Sequence, residues 1–391
     1  MELQAWHLAA VASLLCAAPS TLLLVEVLCA RRRGTRGRDE APADLRYRVL
    51  IPAHDEAEGL VERLRALTPL LPSPETALVV ADNCTDETAA IAAAAGVEVI
   101  VRDEPSARGK GYALRFGLEH LAADPPEVVV FLDADSSYLE GGPGELAALA
   151  LERDLPVQGA FQMEVGQDGA LRERVSSLAV RLKNDLRVRG LSALGGAVSL
   201  LGSNFALPWS ACLAVPAPVG ELAEDAVWGW RLADEALPAS YAGEVVCAGE
   251  LASGSAATKV QRARWERGTL LGAWRELPGV ALRALLAGRL RVLWLALDGL
   301  IPPLSLLALA CLLTAASGVF AGAPLSLSLA PSVLLMAALM TAWIRVGRGL
   351  VAPYEVLALP LHATLRLLQL PATLLGAGEW RRTPRGSAAE D

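Results

Sequence analysis

Two aspartates one residue apart close an apolar run at 127–135, EVVVFLDAD. Alternate side chains on a strand share a face, so at its end Asp133 and Asp135 can approach one divalent ion. Mg2+ or Mn2+ takes such hard oxygen ligands and offsets negative charge on a departing diphosphate. An acidic turn after a buried strand is the plainer reading of the same pair. A second apolar run ends in VVADNCTDET, 79–88. There Asp82 suits acceptance of a base N–H or a ribose hydroxyl, while Thr85, Asp86 and Glu87 suit the cap of the next helix.

Three further segments carry usable chemistry. SARGKGYAL, 106–114, sets Gly109 and Gly111 around Lys110, a pattern suited to bringing backbone and a cation close to phosphate, although it is not the Walker spacing. GELAEDAVWGWRL, 220–232, opens an apolar helix with Glu224 and Asp225. These either complement the helix dipole or take a proton from an acceptor hydroxyl. QRARW, 261–265, packs Gln261, Arg262, Arg264 and Trp265 into five residues. Arginine binds diphosphate through two parallel hydrogen bonds, and an indole face suits a sugar ring. A basic juxtamembrane helix anchored by Trp265 is the alternative.

The elements that must position these residues follow from pattern and composition. The chain has 391 residues, 53% hydrophobic and 20% charged, with a mean hydropathy of +0.38. That is too apolar for an ordinary soluble enzyme and predicts membrane segments. Net charge is −8, distributed as −2 over 1–30, +5 over RRRGTRGR (31–38), −15 over 39–279 and +4 over 280–391. An acidic middle excludes a nucleic-acid binder, which needs a positive stripe. Six scattered cysteines and four separated histidines offer no zinc-type spacing or disulfide framework, so reduced structural thiols are expected.

Residues 1–30 form an apolar anchor, with the basic linker 31–46 behind it, which predicts an N-terminus outside and a catalytic domain on the cytoplasmic side of the inner membrane. Within 281–350, two spans are predicted at about 292–318 and 325–344, the first kinked by Pro302 and Pro303. The segment 351–391 is expected to hold an interfacial or re-entrant helix and a basic cytoplasmic tail. Between the anchors, 47–280 alternates strand-like runs (47–53, 76–82, 97–103, 127–135) with helix-compatible stretches. The fold class is therefore α/β: a mostly parallel, Rossmann-type sheet flanked by helices, with transmembrane helices at both ends. Such sheets bind ligands beyond the carboxyl ends of their strands.

In this order, IPAHDEAE, VVADNCTDET, GKG, DAD, AED and QRARW resemble the family-two inverting glycosyltransferases of GT-A fold. The resemblance is to the membrane-embedded branch with a Q-x-x-R-W signature, which includes cellulose, hyaluronan and poly-N-acetylglucosamine synthases. It covers about 47–268. Carried over by position, it implies Pro52, Ala53, Glu56 and Asp82 around the nucleotide base. Lys110 and Arg264 would lie near the diphosphate, and Asp133 and Asp135 on Mg2+ or Mn2+. Asp225 would be the base, with Glu224 beside it. Gln261 and Trp265 would face the acceptor, together with Gly202, Ser203 and Asn204 in LGSNFALP. Ala81 and the A of AED depart from the commoner family residues, and two spans after the catalytic domain are fewer than a polymer channel uses.

The resemblance implies transfer of a hexose or N-acetylhexosamine from a nucleoside diphosphate sugar, UDP before GDP, to a polysaccharide or lipid-linked hydroxyl. Membrane lipids are the expected surroundings, and no protein partner is indicated. Single-sugar transfer to a ceramide- or polyprenyl-phosphate-type lipid is the alternative within the enzyme class. A non-catalytic nucleotide-binding scaffold is the alternative outside it.

Overall fold

The computed structural model describes residues 2–32, 42, 44–164, 171–250 and 255–356. Most of the basic linker and nearly all of the proposed interfacial segment after 356 lie outside the described residues. The described chain forms two compact units. One draws on the described residues of 2–31, 171–196 and 294–356, the other on those of 32–164 and 197–293. Assignment of 171–196 to the unit with the terminal helices is not visible in the sequence, where 47–280 reads as one stretch.

The second unit is built on an eight-stranded sheet: β1 Tyr47–Ala53, β2 Ala77–Asp82, β3 Glu98–Arg102, β4 Val128–Phe131, β5 Ser136–Glu140, β6 Val157–Glu164, β7 Phe205–Pro208 and β8 Ser240–Glu250. Their order is β3-β2-β1-β4-β7-β6-β8-β5. β1 to β4 are parallel, with Val49 beside Ala77 on β2 and beside Val130 on β4. β7 runs antiparallel to both β4 and β6, and β5 antiparallel to β8, so the expectation of a mostly parallel sheet holds for one half and a mixed sheet forms the other. β2 and β4 are buried along their whole length, as continuous apolar runs require when helices cover both faces. The chain runs outward from β1 to β2 and β3, then returns to place β4 on the other side of β1. That reversal opens a crevice at the carboxyl ends of β1 and β4.

The other unit is helical. Among the described residues, Trp6–Cys29 and Leu325–Gly347 are long and apolar enough to cross a membrane. The region of the expected kinked span at 292–318 holds two helices, Leu290–Gly299 and Leu304–Phe320, which together are long and apolar enough to cross and are bent by 76°. The break falls at Pro302 and Pro303, neither of which supplies a backbone N–H. Helices Leu304–Phe320 and Leu325–Ala342 approach closely at Gly318, where an added Cβ would meet Ser328 Oγ at 2.2 Å.

Charge is buried in this unit as a triad. Arg187 Nε is 3.1 Å from Glu26 Oε2, and its Nη2 is 2.5 Å from Asp298 Oδ1. Glu26 is fully buried on the first helix. The first helix also lies against Gly190, where a Cβ would fall 1.9 Å from the Glu26 carbonyl oxygen. The guanidinium thus joins three segments distant in sequence. Arg187→Met would leave two acids buried together without a counter-charge. It is expected to cost about 3–5 kcal/mol, measured as a lower thermal midpoint of the detergent-solubilised protein. An unchanged midpoint would show that the triad does not hold these segments together.

Candidate active site

At the carboxyl ends of β1 and β2, the loops are tied to one another. The Asp55 carboxylate accepts from the Thr85 backbone N–H at 2.6 Å, the Glu56 N–H donates to Thr88 Oγ1 at 2.8 Å, and the Ala57 N–H donates to Asp86 Oδ2 at 3.0 Å. Pro52, Ala53 and Glu56 line this rim with Asp82, which is buried. Asp82 Oδ1 pairs with Arg102 Nη1 at 2.6 Å and accepts from Asn83 Nδ2 at 2.9 Å. Burial raises the Asp82 carboxyl above its ordinary range, and Arg102 works against that rise. The Arg102 guanidinium lies 5.4 Å over the Tyr112 ring, which fixes its direction. Arg102 escapes a motif reading, since one basic residue closing a strand gives no local sign of its partner.

A second group of site residues gathers around Lys110. This residue begins the helix Lys110–Leu121 after Gly109, whose φ of +127° suits glycine. Gly111 is required for packing: a Cβ there would fall 2.1 Å from the Pro218 carbonyl oxygen. The two glycines of GKG thus have structural reasons of their own, besides the phosphate approach that the sequence suggests. Lys110 Nζ lies 2.5 Å from Asp133 Oδ1 and donates to the Gly202 carbonyl at 2.5 Å. Gly202, at φ +88°, sits where an added Cβ would be 3.3 Å from Asp225 Oδ2 and 3.7 Å from Lys110 Nζ. Lys110, Asp133, Gly202 and Asp225 therefore share one small region. Glu224 adds a third carboxylate acting on the same ammonium.

Three aromatic rings explain why these segments meet. Phe131 ends β4 two residues before Asp133, Phe205 begins β7 just after the 202–204 turn, and Trp228 lies three residues beyond Asp225 on helix Glu224–Asp234. Phe131 and Phe205 stack at 4.6 Å, and Trp228 meets Phe131 edge-on at 5.3 Å. All three are buried, and Trp228 Nε1 donates to the Val215 carbonyl at 2.8 Å. The 201–204 turn is further held by Gln158 on β6, which accepts from the Leu201 N–H at 2.8 Å and donates to the Ser203 carbonyl at 3.0 Å. No motif marks Gln158, which stands second in the mixed run VQGAFQME of β6.

Ser203 and Asn204 are both fully buried. Ser203 Oγ accepts from the Asp133 N–H at 3.0 Å. Asn204 donates to the Ala160 and Val245 carbonyls, so its amide faces the sheet. Asp135 follows Asp133 in the β4–β5 turn and lies 3.4 Å from Ser136 Oγ. Trp265 is half-buried on helix Ser255–Leu286. The side chains of Gln261 and Arg264 lie outside the described residues. Gly268, one turn beyond Arg264, packs so closely that a Cβ would meet Leu222 Cβ at 2.7 Å. This turn of the helix therefore runs beside the segment that leads into Glu224 and Asp225.

The donor set suits a hard divalent cation. Asp133 and Asp135 offer oxygen ligands only, and around Asp133 the carboxylates of Glu224 and Asp225 leave negative charge that Lys110 alone does not balance. That imbalance also shows in the acids and the lysine. Burial would lower the Lys110 ammonium, but Asp133, Glu224 and Asp225 outweigh it and hold the group well above its ordinary value. Burial, aided by Asp225 and opposed by Lys110, pushes the Glu224 carboxyl up to about 7.

Residues 48–192 match the family model described as Glycosyl transferase family 2. That range holds β1 to β4, Lys110, Asp133 and Asp135, and ends before Glu224. Among solved structures, the chain is similar to a mannosyltransferase, PcManGT, from Pyrobaculum calidifontis in complex with GDP-Man and Mn2+. The TM-score is 0.50 at 18% identity, covering 94% of this chain and 96% of that one. The fold is GT-A-like. The chain is also 33% identical over 153 residues to uncharacterized glycosyltransferases of Mycobacterium tuberculosis and Mycobacterium bovis. The match takes in 37% of this chain and spans 64% of the length of those relatives. A glucosyl-3-phosphoglycerate synthase from Mycobacterium tuberculosis, in complex with Mn2+, UDP and glucosyl-3-phosphoglycerate, is 21% identical with a TM-score of 0.39. It covers 57% of this chain and 79% of that one.

The raised Glu224 carboxyl makes a pH prediction. The folded state holds this proton more tightly than the unfolded chain, so stability from this group is full below about 4.5 and declines as pH rises toward about 7. Between pH 5 and pH 8 the wild type is expected to lose on the order of 2 kcal/mol relative to Glu224→Gln. Thermal unfolding of both proteins at the two pH values measures this, and parallel curves would remove Glu224 as the source.

Proposed function

We propose that the chain is a membrane-bound inverting glycosyltransferase. It would move a hexose or N-acetylhexosamine from a nucleoside diphosphate sugar to an acceptor hydroxyl on a glycan or lipid. The observation that carries this reading is the meeting of Lys110, Asp133, Gly202 and Asp225 in the crevice beside β4 of a GT-A-like sheet. The nucleotide would lie along the β1 and β2 rim, its base against Asp82. UDP is favoured by the motif resemblance, while GDP is the nucleotide that the mannosyltransferase of similar fold carries.

In this reading Asp225 removes the acceptor proton while the acceptor oxygen attacks the anomeric carbon opposite the diphosphate, which inverts the configuration. Lys110, and Arg264 on its helix, supply positive charge for the departing diphosphate. A divalent cation held by Asp133 and Asp135 would offset that charge further when bound. The 201–204 turn, with its backbone fixed by Gln158, would present Gly202 toward the acceptor, and Trp265 would offer its ring face to the acceptor sugar or lipid head. The helical unit would anchor the enzyme in the cytoplasmic membrane with the N-terminus outside, which the basic residues after the first helix support.

A donor screen on the purified full chain, with mass spectrometry of lipid and glycan products, tests the proposal. A ladder of oligomers would identify a polymerase, and one glycolipid a single-transfer enzyme. Tight nucleotide binding without any product would leave a scaffold and overturn the enzymatic reading. Asp225→Asn is expected to lower turnover by about a hundredfold or more, the usual contribution of a general base. Full activity in that variant would remove Asp225 from the role of base.

A further inference from the structure

Asp133 has two claims upon it. Its Oδ1 is 2.5 Å from Lys110 Nζ, and the same carboxylate is one of two that suit the divalent ion. An ammonium and a divalent cation repel, and both draw on one small carboxylate, so neither binds at full strength beside the other. Lys110 cannot yield by moving its backbone: Gly109 sets the chain at φ +127°, and Gly111 is wedged against the Pro218 carbonyl. Its four-carbon stem, however, turns freely and carries a compact point charge. The ammonium also spends a donor on the Gly202 carbonyl, beside Asp225.

We propose that Lys110 is a positioning residue that stands in for the metal ion: it occupies Asp133 until a diphosphate draws its ammonium away, so nucleotide and metal bind as a pair. The inference rests on the donor-site reading above and adds a binding order to it. Without nucleotide, the ion must compete with a half-buried, charge-assisted ion pair. With nucleotide, phosphate oxygens take up the ammonium and Asp133 becomes free for the ion. The same movement breaks the bond to Gly202, so the turn proposed to face the acceptor loses one restraint when the donor site fills.

Calorimetric titration of Mn2+ into the full chain in detergent, with and without UDP or GDP, tests this. In the wild type, one of these nucleotides is expected to tighten Mn2+ binding by at least about tenfold. Lys110→Met is expected to bind Mn2+ about tenfold more tightly than wild type in the absence of nucleotide, with less further tightening on its addition. Lys110→Arg, which keeps the charge, is expected to retain coupling. Loss of a charge that never moves would tighten Mn2+ binding equally with and without nucleotide, so the reduced coupling in Lys110→Met is what marks the exchange. Wild-type coupling together with Mn2+ binding to Lys110→Met no tighter than to wild type would overturn the exchange and leave the donor site standing. Absence of coupled Mn2+ binding with either nucleotide in the wild type would overturn the donor site and the exchange together.

A second measurement needs no variant. Lys110 is one of three lysines, with Lys183 and Lys259, so reductive methylation mapped by mass spectrometry reads it directly. Mn2+ alone is expected to speed its labelling, and Mn2+ with the nucleotide to slow it. Labelling indifferent to both additions would overturn the proposal.

Discussion

Phe131, Phe205 and Trp228 are in contact in the core of the sheet unit, and the charged crevice depends on that contact. Each ring stands within three residues of a group that would otherwise avoid the others: Asp133, the 202–204 turn and Asp225. Carboxylates brought close together repel, and desolvation adds to the cost. Buried aromatic packing is worth several kcal/mol per ring and is unaffected by protonation or salt. It can therefore hold three chain segments in an arrangement that their charges alone would not choose. Burial, aided by Asp225, pushes the Glu224 carboxyl in this crevice up to about 7.

The surrounding hydrogen bonds fix the 201–204 turn against neighbouring elements. The 201–204 turn does not rely on solvent or on its own side chains for its shape. Gln158 meets the Leu201 N–H and the Ser203 carbonyl, and Ser203 Oγ meets the Asp133 N–H. Asn204 spends its amide on the neighbouring strands. The turn therefore holds Gly202 beside Lys110 and Asp225 with little freedom to relax. This is the preorganisation that electrostatic catalysis needs, because dipoles already in place cost nothing to reorient as charge develops.

Legibility in the sequence follows the range of the interactions. β1, β2 and β4 are visible because parallel strands covered on both faces must be largely continuous apolar runs, and the ends of β2 and β4 point to Asp82 and Asp133. The mixed half is hidden, since FALP is four residues long and β6 and β8 are interrupted by glycine. Arg102 meets Asp82, and Gln158 meets the Leu201 N–H, across 20 residues or more, so no local pattern marks these contacts. Gly111 is visible as a glycine, yet its packing against Pro218 requires the fold. The segment 171–196 joins the helical unit through Arg187 and Gly190, which no hydropathy pattern reveals.

The choice of cation differs between the two units in a way that fits their tasks. In the helical unit, Arg345 donates to the Leu28 and Ala30 carbonyls, Arg189 to the Arg31 carbonyl and Asp185, and Arg187 to Glu26 and Asp298. Each planar fork meets two partners at once, and those at carbonyls satisfy the bare end of the first helix, where positive charge is favoured. Such contacts are suited to permanence. At Asp133 the chain uses lysine, although it contains only three lysines against 32 arginines. A guanidinium there could hold the carboxylate through both oxygens and resist displacement. An ammonium on a flexible stem holds one oxygen and can transfer to another anion without a change in backbone. In a chain that otherwise favours arginine so heavily, that substitution of a point charge for a fork is what an exchangeable contact requires.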